Sequence, residues 1–504
     1  MIKGEGAFRP QRLALTRRYA PTSPSGRGDI LALLPLVVLV PTVGFIAWRR
    51  FDGLYGQDSF AYFDYALGPL RSALAAREPL PPFFWPPGYP VLVALASALV
   101  GDLAGQEVSL LLGACVPLLT ALLARELWPE QPRVPLVAGL LVALCGQLWQ
   151  SSMVVMADTT GLAMATLSAW AIVRYARQPH LGWLLLASLA ISVAMLSRWI
   201  YGLVAVPLAL YVLALRPNAG HVVAASALAV LLLAAVLGPP LIGLVREHAA
   251  PAAFAGNLQV YSWWPGNALH TEFDTPDGHL SYTQPNGLYY ALAPANLALF
   301  GPLLAPWIIV GLVVVALSWP KRALLVVVGW AAIVYAFHAG APWQNFRFTL
   351  AYVPPLAILI AVGLSWVSWW LSARLAVVWL ALGLAVMIFG GVRLLNGFID
   401  RQQEERALVG WVESQVGPGA RLLTFGPTLT FTHFSRLHTF DLSEVTDTEL
   451  ANRAPTYVLV DVTNVEDQWR GERPADLYVR LRDGPGLEPL GTRGTLTLFH
   501  VELT

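Results

Sequence analysis

VPLVAGLLVALCGQLWQSSMVVMADTTGLAMATLSAWAIVRYARQ, residues 134–178, holds two apolar runs, 134–152 and 158–176. Between Arg133 and Arg174 its one charged residue is Asp158. Each run matches the roughly 20 residues that an α-helix needs to cross the hydrocarbon core of a bilayer. Arg125 and Arg133 precede the pair and Arg174 and Arg177 follow it, while 153–157 carries no charge. Lys and Arg concentrate in cytoplasmic loops, so the pattern predicts a hairpin of two spans whose turn faces outward.

The same pattern extends in both directions. Apolar runs occupy 30–48, 106–124, 181–197, 199–215, 221–245, 300–318, 323–340, 349–371 and 375–395. With the first pair this predicts about eleven transmembrane helices of about 20 residues each. Residues 1–29 are polar and basic, and the run from Ile30 to Trp48 lacks a small-residue cleavage site, so it reads as an uncleaved anchor. With a cytoplasmic N-terminus the inner loops hold Arg216, Lys321, Arg322 and Arg374 besides the four arginines above, and the short outer loops hold Arg198 and Arg347. The parity closes when 86–101 (PPGYPVLVALASALVG) does not cross and forms a partly embedded outer helix. Two long outer loops result, 49–105 and 246–299, the second rich in aromatics and Asn (YSWWPGNALH, YTQPNGLYY). Long loops in compact proteins are usually functional. No internal repeat is visible in the hydropathy pattern.

Composition agrees. The 504 residues are 56% apolar and 12% charged, about half the charge of an average soluble protein, and the mean hydropathy is +0.58. That excludes an ordinary cytosolic enzyme, and a net charge of +1 offers no nucleic-acid footprint. Sixteen of the 31 acidic residues, but 10 of the 32 basic ones, lie at or beyond Asp400. The chain therefore reads as a transmembrane region, 30–395, followed by a mildly acidic extracytoplasmic domain, 396–504. In that domain ERALVGWVESQ and SEVTDTELANR (443–453) read as helices. ARLLTF (420–425), TYVLVDV (456–462) and TLTLFHVEL (495–503) read as strands, giving a small Rossmann-like α/β sheet. No glycine-rich phosphate loop follows a strand, so a dinucleotide is not expected. The predicted fold is an α-helical polytopic membrane protein with a small C-terminal α/β domain outside the cytoplasm.

Charge beside a membrane span is costly and often functional. Asp158 is the one acidic residue from 131 to 246 and opens a span on the outer side. FDGLYGQDSFAYFDYA in the first outer loop contains Asp52, Asp58 and Asp64. On a helix, Asp58, Tyr62 and Ala66 share a face. Asp58 and Asp158 also suit helix N-caps, and Ser59 suits one as well. Asp64 reads as a solvated face residue. Arg198 and Arg347 stand at outer ends of spans, either snorkelling to headgroups or clamping a phosphate through the fixed donor geometry of guanidinium. His248, His270, His279 and His338 form no recognisable metal motif. The aromatics of 261–290 suit an interfacial belt or stacking on a sugar.

Taken in order along the chain, these features resemble the GT-C superfamily of polytopic glycosyltransferases. The nearest group in pattern comprises the protein O-mannosyltransferases, the lipid A aminoarabinose transferase and the rhizobial lipopolysaccharide-core transferases. The similarity rests on the first-loop D-x3-Y-x3-A pattern (Asp58, Tyr62, Ala66) and on PPGYP (Pro86 to Pro90, with Tyr89). It rests further on an outer acidic residue opening a later span (Asp158), on LSRW (Leu196 to Trp199) and on RFTLAYVP (Arg347 to Pro354). Ser59 stands where members often carry a second acid after the Asp.

The resemblance implies an inverting transferase that moves a sugar from a polyprenyl-phosphate donor to a cell-envelope acceptor, a glycan, lipid or protein hydroxyl, on the outer face of the plasma membrane. It implies Asp58 as general base, with Arg347 and then Arg198 at the donor phosphate. Asp158 would orient the acceptor or, with Asp58, hold Mg²⁺ or Mn²⁺, for which hard oxygen ligands are suited. Tyr62 and Tyr89 would support the first loop. Two other classes stay open at this point. One is a transporter or flippase of lipid-linked sugars, the other a non-catalytic envelope assembly protein that acts through its C-terminal domain.

Overall fold

The computed structural model describes residues 30–246, 262–318, 324–367, 372–446, 456–484 and 486–501. The basic N-terminus 1–29, His248 and the rest of 247–261, Lys321, Arg322, and most of the helix expected at 443–453 lie outside the described residues. Ser443 and Glu444 themselves form a turn.

All eleven runs read as spans are helical over most of their described length. The principal helices of the transmembrane region are α1 (Leu34–Arg49), α2 (Gln57–Tyr65), α3 (Gly88–Val100), α4 (Ala104–Leu127), α5 (Arg133–Ala143), α6 (Gly146–Met153) and α7 (Asp158–Arg177). They continue as α8 (Leu181–Ser197), α9 (Tyr201–Ala214), α10 (Ala219–Arg246), α11 (Trp307–Ser318), α12 (Trp330–Gly340), α13 (Val353–Val367) and α14 (Ala373–Gln415). Among the described residues four helical stretches are individually long and apolar enough to cross a bilayer, or five if a bent pair counts as one span. Five further apolar helices are 10–17 residues long. Several spans are thus shorter than the expected 20 residues.

Two features depart from the sequence reading. First, the run 134–152 is not one straight span: α5 and α6 meet at a bend of 54°. Gly146 lies at that bend, where a Cβ would come within 2.4 Å of the Gly391 Cα, so two glycines let α6 press against α14. Second, the boundary expected at 395/396 falls inside α14, one continuous helix of 43 residues. Gly390 and Gly391 do not end it, because their missing side chains make room for the Leu297 carbonyl and for α6. Beyond them Asn396 accepts from Arg49 at 2.7 Å, and Gln402 donates to Asp52 at 2.7 Å and to the Leu54 carbonyl at 3.0 Å. The helix thereby carries the first long loop on its flank.

The chain doubles back between α3 and α4. The Tyr89 hydroxyl donates to the Gly105 carbonyl at 2.9 Å, whereas 16 residues of straight helix would separate them by about 24 Å. α7 connects the two ends of the bundle. Asp158 starts it, and Arg174 near its other end pairs with buried Glu126 at 2.7 Å.

The C-terminal domain is a five-stranded sheet of order β4-β3-β5-β7-β6, with β3 (Arg421–Thr424), β4 (His438–Asp441), β5 (Thr456–Asp461), β6 (Leu487–Arg493) and β7 (Leu496–Val501). β3 is parallel to β4 and β5, but β7 pairs antiparallel with both β5 and β6. The sheet is therefore mixed, not the parallel Rossmann-like sheet expected, because β6 returns to β7 as a hairpin. Alternate residues line its two faces. Leu422 and Leu459 pack with Leu408 and Val412 of α14. Leu423, Val458 and Val460 pack with Leu477 and Leu481 of α17 (Arg473–Asp483), which follows α16 (Val462–Asp467).

This domain touches the described parts of both long loops, 49–105 and 246–299. Its helix α15 (Thr428–Phe434) lies on α2, with the His433 ring 5.5 Å from those of Phe60 and Phe63. The second loop forms a hairpin, β1 (Glu272–Thr275) with β2 (Gly278–Ser281). There the Gln468 carbonyl accepts from the His279 N–H at 2.7 Å, while the Gln468 amide donates to the Asp277 carbonyl at 2.7 Å.

Candidate active site

Four residues from four separate parts of the chain converge at one end of the bundle. Asp58 lies in the first turn of α2, Asp158 opens α7, Arg198 follows α8, and Arg347 lies in a short 3-10 turn before α13. Arg347 donates to Asp58 at 2.7 Å, and its Nε lies 3.7 Å from Asp158. An Nη of Arg198 lies 2.9 Å from both carboxylate oxygens of Asp158. The result is an alternating chain of two carboxylates and two guanidiniums with no net charge.

Local sequence explains each placement. Gly56, at φ 78°, starts α2 as its N-cap without a side-chain bond. Ser59 satisfies the turn, accepting from the Tyr55 N–H at 2.8 Å and donating to the Gly56 carbonyl at 2.9 Å. Asp58 is thereby left free of capping duty and turned to Arg347. Asp158 likewise makes no cap bond, although the helix N-terminus favours its charge. Asn345 caps the turn that carries Arg347, accepting its N–H at 3.0 Å. Both arginines are largely buried in ion pairs, which replaces the snorkelling alternative.

The two tyrosines have different places. Tyr62 is buried one helical turn beyond Asp58, and its hydroxyl has no hydrogen-bond partner among the described residues. Burial pushes its phenol upward, and it lies within electrostatic reach of all four charged residues. Tyr89 stands behind it, ring edge to ring at 5.3 Å, with its hydroxyl tied to Gly105 and to Ser109. Tyr89 supports Tyr62 and is not joined to the charged cluster. Asp64, read as solvated, sits 3.9 Å from His433 of the C-terminal domain. Burial raises its carboxyl and His433 partly offsets that.

Burial acts on the Asp58 carboxyl to raise its pKa, but the charges of Arg347 and Arg198 and the Arg347 hydrogen bond outweigh it. Asp58 is thus held below the ordinary carboxylate range and is an anion at neutral pH.

Asp58 and Arg347 line an open cavity of about 400 Å³, within the usual size of small-molecule sites (about 300–1,000 Å³). α6 supplies Gln147, Gln150 and Ser151 to the wall, and Tyr55 and Phe398 supply aromatic rings. Met156 also contributes, its Sδ 2.9 Å from an Arg347 Nη. The sequence reading did not single out these α6 residues or Met156. The signal was present, since QLWQSS is a polar interruption within an apolar run. His338, one of four scattered histidines in that reading, is buried between the rings of Tyr290 and Phe348, 5.3 Å from each.

Asp58 and Asp158 each already face a guanidinium, so a metal between them would lie against two positive charges. Among the described residues no group of three His, Cys, Asp or Glu side chains is placed to hold a metal ion.

Helical bundle, long loops and mixed-sheet domain together define a class of fold, the one seen in two solved membrane-protein structures. A sequence family described as dolichyl-phosphate-mannose-protein mannosyltransferase matches residues 85–242. Among solved structures, ArnT from Cupriavidus metallidurans bound to undecaprenyl phosphate is similar, with a TM-score of 0.63 at 15% identity over 95% of this chain and 98% of that one. The Archaeoglobus fulgidus oligosaccharyltransferase in its apo form is also similar, with a TM-score of 0.55 at 12% identity over 94% of this chain and 74% of that one. No curated protein sequence matches the chain. The GT-C resemblance read from the sequence therefore stands, as does the polytopic helical fold with its C-terminal sheet domain.

Proposed function

We propose that the protein is an inverting glycosyltransferase that takes a sugar from a polyprenyl-phosphate donor and places it on a hydroxyl of a cell-envelope acceptor. The observation that carries this reading is the Asp58–Arg347 pair at the wall of an open cavity: a base and a phosphate-binding cation held together. The undecaprenyl phosphate bound to ArnT supports the donor class.

In this mechanism the donor phosphate takes Arg347 as its partner, and Arg198 adds charge from behind Asp158. Asp58 then loses its nearest cation, its carboxyl rises toward the value burial favours, and it becomes a better base. The acceptor hydroxyl attacks the anomeric carbon while its proton passes to Asp58. The bond from that carbon to the phosphate oxygen breaks, and its electron pair leaves on the polyprenyl phosphate. Attack opposite the leaving group inverts the configuration. General base catalysis of this kind contributes about 10²–10⁴-fold, and cations at the leaving phosphate stabilise the charge that develops there. Asp158 holds Arg198 in place and orients the acceptor. A divalent cation has no role in this scheme. With the N-terminus in the cytoplasm, site and C-terminal domain face outward across the plasma membrane.

The 54° break between α5 and α6 is a feature that a transporter of lipid-linked sugars would also use. Against that reading, the charged cluster sits at one end of α7 and not midway along it. The purified protein mixed with radiolabelled polyprenyl-phosphate sugars and a crude envelope acceptor tests the choice. Release of polyprenyl phosphate by wild type but not by Asp58→Asn supports transfer. Lipid-phosphate binding without turnover favours the transporter or the assembly protein.

A further inference from the structure

Resting on the transferase reading, we infer that the face of α6 in the cavity selects a neutral, hydroxyl-bearing glycosyl group, with Gln147 and Gln150 reading its hydroxyls.

The break after α5 turns a short polar helix into the cavity wall. Gln147, Gln150 and Ser151 are spaced i, i+3, i+4 and so share one face. Gln147 and Ser151 are buried, and the Gln147 amide donates to the Ser151 hydroxyl at 3.2 Å. Polar side chains in an apolar bundle are costly unless hydrogen-bonded, and these three lie in the cavity lining. Gln57 and Asn345 add two more amides to the lining. Each amide offers both donors and an acceptor, which matches a sugar hydroxyl that both donates and accepts. Tyr55 and Phe398, with ring centroids 4.8 Å apart, give the cavity an aromatic edge for the apolar face of a sugar ring.

The charge balance gives the selectivity. Asp58 and Arg347 are the charged residues in the lining, and they pair with each other. In turnover the arginine is committed to the donor phosphate and the carboxylate to the acceptor proton. An ammonium or carboxylate on the transferred sugar would enter without a free counter-charge, and burying an unpaired charge is costly. Amide side chains also neither attract nor repel by charge, so they discriminate by hydroxyl placement.

The test uses the full-length protein and three polyprenyl-phosphate donors, carrying a neutral sugar, an amino sugar and a uronic acid. Wild type should turn over the neutral donor at least about tenfold faster, judged by kcat/KM. Gln147→Leu and Gln150→Leu should each raise KM for that donor about five- to tenfold and leave affinity for bare polyprenyl phosphate unchanged, which also shows that the variant is folded. Gln150 is only partly buried, so its variant tests the inference even if Gln147→Leu does not fold. Equal or faster use of a charged donor, or leucine variants with unaltered KM, overturns this inference while leaving transferase activity standing. No turnover of any donor overturns the transferase reading and this inference with it.

Discussion

Arg347 and Asp58 are 289 residues apart in sequence and 2.7 Å apart in space. The pair joins a short helix of the first long loop to a 3-10 turn between two late helices. Because the cation also lies 3.7 Å from Asp158, it couples both carboxylates. In the proposed mechanism Asp58 is kept ionised by Arg347 until the donor phosphate competes for that cation.

Replacing Asp58 by Asn should reduce sugar transfer by about 10²–10⁴-fold and leave the protein folded, since the amide keeps the shape of the side chain. Turnover of the labelled donor, with melting in detergent as the folding control, measures this. Near-normal turnover by the Asp58→Asn variant would remove Asp58 as the base.

The pH profile should respond to Arg347. In the resting protein the Asp58 carboxyl is depressed, so the acid limb of kcat/KM lies below the usual carboxylate range. In Arg347→Gln the main opposing cation is gone and burial acts with less opposition, so the acid limb moves to higher pH as activity falls. The stability linkage has the matching sign. A depressed carboxylate contributes stability above its unfolded pKa, and that contribution is lost as pH falls through the folded value. Arg347→Gln should therefore flatten the loss of stability below about pH 4. An acid limb that stays in place would show that Asp58 is not the titrating group.

Arg198→Ala should destabilise the fold by about 3–5 kcal/mol, because Asp158 would be left buried without its closest partner. The double variant Asp158→Asn with Arg198→Gln should recover much of that loss, as no buried charge then stands alone. Thermal melting of wild type and both variants in one detergent decides it. A single variant as stable as wild type would mean that the pair is dispensable.

Gly146→Val should displace α6 from α14, since even a Cβ would approach the Gly391 Cα to 2.4 Å. Overpacking of this kind costs about 1–3 kcal/mol, and here it also shifts the cavity wall. The expected result is a lower melting temperature together with a raised donor KM. A valine variant unchanged in both would show that the α6–α14 contact does not set the wall.

Much of this was legible in the chain itself. Over their described residues the eleven apolar runs are mostly helical, because in a bilayer an apolar stretch must satisfy its backbone internally. Asp58, Asp158, Arg198 and Arg347 drew notice because charge is scarce beside the apolar runs. Other features were not legible. The apolar run ends at 395 and acidic residues resume at Asp400, which suggested a domain boundary, yet the helix runs straight through it. Gly390 and Gly391 serve a close approach by residues more than 90 and 240 positions away. β6 carries Pro489 and Gly491 and lacks a strand pattern, so neither the strand nor the mixed sheet was foreseen. QLWQSS read as part of a span because apolar residues flank it on both sides.

The sequence by itself determined the helical membrane body, the sheet-bearing C-terminal domain and the small set of charged residues. Hydropathy and period are local properties, and each residue carries its own share of them. Only the tertiary structure decided that these charges form one alternating chain, that Asp58 pairs rather than caps, and that a broken helix supplies an amide-lined cavity wall. Those facts depend on contacts between segments hundreds of residues apart, and no local pattern encodes which distant partner a charge will find.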